Sequence, residues 1–227
     1  MNESKNPGDS IDSFRLSLGS GLAWVAGYFG VMLLYTALDV VLWRKLTPEL
    51  APWLNLAGML VCIGIFFWIM ITQTGVHLDL FRKFGIRHLL LAMFGGALLY
   101  LVMDCGIDPI LENLFMVSES QYQEALADLR ATPVTSFLQV CLIAPVTEEL
   151  LMRGFVLKGL RRSYSWGFAL IVSAALFGIL HMNLVQGISA FAGGLILGGV
   201  YLRSNHLLSC MLMHAFYNGI SFVLLLK

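Results

Sequence analysis

Three short stretches put ionisable or strongly polar side chains inside apolar sequence. "PVTEELLMRG" (residues 145–154) holds Glu148, Glu149 and Arg153, "LFGILH" (176–181) ends in His181, and "LMHAFYN" (212–218) holds His214 and Asn218. On a helix, residues four apart share a face, so Glu149 and Arg153 can pair, while Glu148 is turned about 100° away and keeps a free carboxylate. Phe177 with His181, and His214 with Asn218, recur at the same interval. A carboxylate and a histidine can take and return the protons of a water, and a second histidine with an amide can donate to a developing oxyanion. That is hydrolytic equipment. The same residue types also serve plainer ends: a buried ion pair fixes helix packing, the simpler account of Glu149 with Arg153, and a lone membrane histidine is more often an interhelical hydrogen-bonding group. Polar groups of this kind on three separate runs tip the balance toward chemistry.

These residues need a scaffold that brings three runs together. Of the 227 residues, 58% are hydrophobic and 12% charged, against about 25% charged in soluble domains. The composition is that of an integral, multi-pass membrane protein, an all-α polytopic helical bundle whose surroundings are the lipid bilayer. The apolar runs predict about seven spans, over 21–43, 54–71, 89–103, 134–157, 166–181, 185–202 and 207–226. The third and fifth fall short of the roughly 20 residues needed to cross the hydrocarbon, so they should extend into flanking sequence or lie against other helices. Glu148, Glu149 and Arg153 each oppose insertion by about 2.5–3.5 kcal/mol at the centre of a span unless they face protein or water. Something inside the bundle must receive them. Pro145, lacking an N–H, is expected to kink the fourth run beside the acids.

Residues 1–20 read as a polar tail, 21–133 as N-terminal membrane helices with a short surface helix, and 134–227 as the core carrying the polar motifs. The first run is too long for a signal-peptide core and is expected to remain as a span. The segment "VSESQYQEALADLRATP" is polar, rich in helix formers and closed by Pro133, which predicts a surface helix between the third and fourth runs. Lys5, Arg15, Arg82, Lys83, Arg87, Lys158, Arg161, Arg162 and Arg203 gather on one side, against Arg44, Lys45, Arg130 and Lys227 on the other, so the N-terminus is expected in the cytoplasm. Net charge is zero and no basic block suits a nucleic acid. Cys62, Cys105, Cys141 and Cys210 lack metal or redox spacing and are read as packing residues. Ala190, Gly194 and Gly198 leave one face of the sixth run without bulk, for close helix packing or, alternatively, for a substrate entry. His77, His88 and His206 fall near span ends and read as interfacial.

The motifs also carry a resemblance. "APVTEELLMRGFVL" resembles the EExxxR motif, "SAALFGILH" the FxxxH motif and "NHLLSCMLMHAFYN" the HxxxN motif of the CAAX protease and bacteriocin-processing (CPBP, or Abi) family of intramembrane endopeptidases. All three occur in order between Val134 and Asn218, with Met152 where an aromatic often precedes the arginine. The resemblance implies a membrane-embedded endopeptidase in which Glu148 and His181 activate water, His214 and Asn218 hold the oxyanion, and Glu149 and Arg153 support the site. Implied substrates are membrane-associated peptides or proteins: CAAX-type C-termini, or pheromone and bacteriocin precursors. The short chain points toward a bacterial plasma membrane. No cofactor is favoured, although Glu148, His181 and His214 could supply a His₂-carboxylate zinc site. Two other readings use the same residues: a catalytically silent immunity or scaffold protein, and a proton-coupled transporter, against which the lack of paired halves argues weakly.

Overall fold

The structure is a computed structural model that describes residues 14–78, 80 and 84–227. Among these residues the chain forms eight helices and no strand. They are α1 (Leu18–Leu46, with a turn at Leu42), α2 (Ala51–Thr74), α3 (Ile86–Leu114), α4 (Met116–Ala131), α5 (133–163), α6 (Trp166–Ile179), α7 (Leu184–Ser204) and α8 (Leu207–Leu225). The seven expected runs correspond to α1–α3 and α5–α8, and α4 is the expected polar helix. Five, namely α1, α2, α3, α7 and α8, are long and apolar enough to cross a membrane. The pattern of burial suits lipid: Leu34 is 75%, Trp68 67% and Phe94 70% exposed, while Glu149 and Arg153 are wholly enclosed. This is an integral membrane protein.

Local sequence sets the helix ends. Ser17, Ser165 and Asn183 cap α1, α6 and α7 by accepting the backbone N–H of Ser20, Phe168 and Gln186. Gly75 ends α2 and Asn205 ends α7 in the left-handed region, with φ of 64° and 51°. Two apolar runs prove longer than expected. α3 continues past Met103 to Leu114, because Asp104, Asp108 and Glu112 face an internal cavity rather than lipid and so broke the hydrophobic run without breaking the helix. α5 likewise continues past Leu157 to Ser163. By contrast α6 starts at Trp166 as expected but stops at Ile179, leaving His181 in the turn before α7 rather than on the helix. The short α6 lies against α5 and α7, the second of the two alternatives expected for it.

Three π-helical segments interrupt the longest helices: Met103–Ile107 in α3, and Leu138–Ile143 and Leu150–Leu157 in α5. The two in α5 bracket Glu148 and Glu149. Single-turn insertions of this type widen a helix and release carbonyls, and they concentrate at functional sites. Pro145 follows the second segment, so the missing N–H is absorbed where the helix has already changed register.

Contacts at the helix ends define the topology. Leu16 N–H donates to the Gly159 carbonyl, Leu18 N–H to the Tyr164 hydroxyl, Lys158 Nζ to the His77 carbonyl, and Arg161 to Asn205 Oδ1. The starts of α1 and α8 and the ends of α2, α5 and α7 thus lie together, carrying Arg15, Lys158, Arg161, Arg162 and Arg203. Lys5, Arg82 and Lys83, counted with them from the sequence, lie outside the described residues, as does most of the expected polar tail. His88 and His206 stack at this end with ring centroids 4.5 Å apart, and His206 is buried, so His206 is a packing residue rather than an interfacial one. Cys141 and Cys210 are buried as expected, Cys62 partly so, and Cys105 is exposed.

Glycines set the closest approaches around the site. A Cβ on Gly96 would lie 2.7 Å from the Met213 carbonyl oxygen, so α3 and α8 meet nearly backbone to backbone beside His214. A Cβ on Gly194 would lie 3.1 Å from Ala174 Cα, which makes the small-residue face of α7 a packing face against α6. Ala190 and Gly193 of the same helix line the cavity, so the alternative of a substrate-facing wall survives for its first turns. In the α6–α7 hairpin a Cβ on Gly178 would lie 2.6 Å from the Gly187 carbonyl oxygen. Gly178→Ala is therefore expected to part the hairpin at a cost of about 1–3 kcal/mol, read as a lower melting temperature in detergent. Because Gly178 carbonyl accepts the His181 N–H, the same change should displace His181.

Candidate active site

The core of the site is a buried charge relay behind a cavity. Glu149 and Arg153, one turn apart on α5, pair at 2.8 Å with side chains 0% and 1% exposed. Arg153 also donates Nη2 to the Gly194 carbonyl at 3.1 Å and lies 4.8 Å over the Phe177 ring, which ties α5 to α7 and α6. The Glu149 oxygen that meets Arg153 also accepts from His214 Nδ1 at 3.1 Å. A carboxylate oxygen only accepts, so His214 carries its proton on Nδ1 and turns Nε2 outward, toward Glu148 Oε2 at 3.8 Å. Glu149 therefore does more than neutralise Arg153: it sets the tautomer and the aim of His214.

His181 is fixed by local geometry. Its Nδ1 lies 2.9 Å from the Phe177 carbonyl, one turn back, so here too Nδ1 bears the proton and Nε2 is the free nitrogen. Phe177 stands between the two histidines, edge-on to both, with centroids at 5.0 Å from His181 and 5.8 Å from His214. Asn218, one turn beyond His214, donates Nδ2 to the Val140 carbonyl at 2.8 Å and keeps its Oδ1 and second N–H for the interior.

These groups converge on one cavity of about 520 Å³. Glu148, His181, His214 and Asn218 all line it, whereas Glu149 and Arg153 lie behind its wall. The sequence sets the same four residues apart from Glu149 and Arg153, and the cavity wall separates them by position. The cavity runs toward the ends of α3, α4 and α8 and includes Glu112, Leu129 and Leu225, so it occupies the half of the bundle opposite the start of α1. The polar helix α4 is more than a surface element: Gln123, Leu126 and Leu129 close this side of the cavity, and Arg130 Nε is anchored to the Leu225 carbonyl at 2.9 Å.

Other contacts were not anticipated. Ser221 donates to Asp104 Oδ1 at 2.7 Å and Ser189 hydrogen-bonds Asp108, joining α3 to α8 and α7 along the cavity wall. Ser221 carried a signal, since it falls on the helical face of His214 and Asn218; the carbonyls of Val140 and Gly194 carried none. As for a metal, Glu148 and His214, two of the three donors expected from the sequence, stand 3.8 Å apart, and among the described residues no group of three His, Cys, Asp or Glu side chains is placed to hold one.

Comparison with known proteins agrees with the motifs. Residues 130–220 match the family model for type II CAAX prenyl endopeptidase Rce1-like proteins. The chain is 28% identical over 187 residues to CAAX prenyl protease 2 of Rattus norvegicus, covering 82% of this chain and 54% of that protein. The human CAAX prenyl protease 2 is 26% identical over 207 residues, 82% of this chain and 56% of its own. An uncharacterised 24.3 kDa protein of Escherichia coli is 26% identical over 204 residues, covering 88% and 80% of the two chains. The chain thus spans about half the length of the mammalian proteases it matches. No solved structure matches. All six residues of the constellation fall within the stretch, from α4's last turn into α8, that matches the model of the Rce1-like, type II CAAX prenyl endopeptidase family.

Proposed function

We propose that this protein is an intramembrane endopeptidase that hydrolyses a peptide bond in a membrane-associated peptide or protein. The observation that carries the reading is the convergence of Glu148, His181, His214 and Asn218 on one cavity inside a membrane bundle, backed by the enclosed Glu149–Arg153 pair. Glu148 and the free Nε2 of His181 take a proton from a water, and the resulting hydroxide adds to the scissile carbonyl. His214, whose cavity-facing Nε2 takes up a second proton as the oxyanion forms, with Glu149 behind Nδ1, and the spare N–H of Asn218 donate to the oxyanion. Proton return to the departing amine then completes the reaction. No step in this scheme requires a metal. The test is cleavage of a membrane peptide library by the purified protein in detergent, with and without a strong chelator: cleavage that survives chelation is expected, and its loss would reinstate zinc.

Orientation bears on substrate. With the basic end of the bundle in the cytoplasm, the cavity faces the opposite leaflet, which suits an exported precursor such as a pheromone or bacteriocin, in a bacterial plasma membrane, better than a cytosolic C-terminus. In a cysteine-free background, Glu49→Cys is expected to react with an impermeant maleimide in intact cells and Ser163→Cys only after lysis. The reverse pattern would turn the cavity to the cytoplasm and favour a CAAX-type substrate.

A further inference from the structure

We propose that Pro145 is a positioning residue for Asn218, acting through the hydrogen bond it cannot make. In the π segment before it, Ala144 N–H closes on the Gln139 carbonyl, five residues back. Continued by one residue, that register assigns the Val140 carbonyl to the N–H of residue 145. Proline has none. The Val140 carbonyl is instead met by Asn218 Nδ2 at 2.8 Å, from a helix 78 residues away in sequence.

The consequence reaches the reaction centre. A carbonyl oxygen only accepts, so the contact fixes which end of the Asn218 amide faces α5, and it holds the amide plane with one N–H and Oδ1 left for the cavity. With no N–H at residue 145 the Val140 carbonyl lacks its main-chain donor in that register, and the Asn218 amide supplies one. Pro145 itself is fully buried and three residues before Glu148, so one residue sets the helix path at the proposed base and creates the anchor for the proposed oxyanion donor. A main-chain donor at position 145 would compete for Val140 and release the amide.

The kinetic part of this inference rests on the proposed peptidase reading, but the structural part does not, so the test measures both. Wild type, Pro145→Ala, Asn218→Ala and the double variant are compared by thermal unfolding in detergent and by peptide hydrolysis; Pro145→Ser restores the same N–H and replaces Pro145→Ala if that variant does not fold. Asn218→Ala in the wild-type background is expected to lower the melting temperature by about 4 °C, and by less than half as much where residue 145 can serve Val140. Pro145→Ala alone is expected to reduce kcat about tenfold with KM within about twofold, and to add no loss to Asn218→Ala. Equal melting shifts in both backgrounds, or additive losses of kcat, would overturn the inference. A wild-type protein that cleaves nothing would sink the peptidase reading while the melting cycle still decides whether Pro145 directs Asn218.

Discussion

Glu148→Gln is expected to reduce peptide hydrolysis by at least about 10²-fold while leaving insertion, folding and melting temperature nearly unchanged. The asymmetry follows from where the two adjacent acids stand. Glu148 lines the cavity with its side chain 24% exposed, and His214 Nε2 stands 3.8 Å from it, too far for a full hydrogen bond. The amide of glutamine has the same shape and hydrogen-bonding reach but takes no proton from water at neutral pH. A turnover number near that of wild type in a well-folded variant would remove Glu148 as the base and leave His181, whose Nε2 is also free, as the remaining candidate. Binding of the same peptide by Glu148→Gln, together with an undiminished biological effect in cells, would favour the scaffold reading over the enzyme.

Much of this arrangement was legible because helical spacing is a local rule. Glu149 and Arg153 at i and i+4 had to share a face, and they pair at 2.8 Å; Glu148 had to point elsewhere, and it faces the cavity. The cost of charge in hydrocarbon likewise required an interior space before any was seen. What linear spacing could not give was the third dimension of the relay. Glu149 and His214 are 65 residues apart, and nothing in either motif says that one carboxylate oxygen serves both an arginine and a histidine. The length of α3 was hidden for the opposite reason: Asp104, Asp108 and Glu112 ended the apolar run, yet their spacing of four keeps them on one face, toward the cavity. The end of α6 was misread because Phe177 and His181 satisfy the helical interval in sequence, while the chain turns after Ile179 and makes the same contact through a backbone carbonyl. Polar residues inside membrane sequence thus reported the cavity more faithfully than the hydrophobic runs reported the helix ends.

Arg153→Ala is expected to be the most destabilising single change in the chain, by about 3–5 kcal/mol, because it strands the Glu149 carboxylate in an enclosed position. In detergent this should lower the melting temperature by about 10 °C and reduce folded yield. One Glu149 oxygen already lacks a partner, so the pair has no slack with which to absorb the loss. Glu149→Gln presents the converse case: the amide oxygen can still accept from both His214 Nδ1 and Arg153 Nη1, but the guanidinium loses its counter-charge and keeps only neutral partners, the amide, the Gly194 carbonyl and the Phe177 ring. Combining Glu149→Gln with Arg153→Met removes both charges, so stability should return in part, as it does when a buried ion pair is replaced by groups of similar volume. Activity should not return with it. Without a negative Glu149 behind Nδ1, the imidazolium that the proposed oxyanion contact needs loses its hydrogen-bonded counter-charge, and kcat is expected to stay low with KM little changed. Recovery of stability without recovery of kcat would separate the two duties of Glu149. If Glu149→Ala and Arg153→Ala instead kept full stability and lost only activity, both residues would have to act directly on the substrate, and the buried pair would belong to the chemistry rather than to its support.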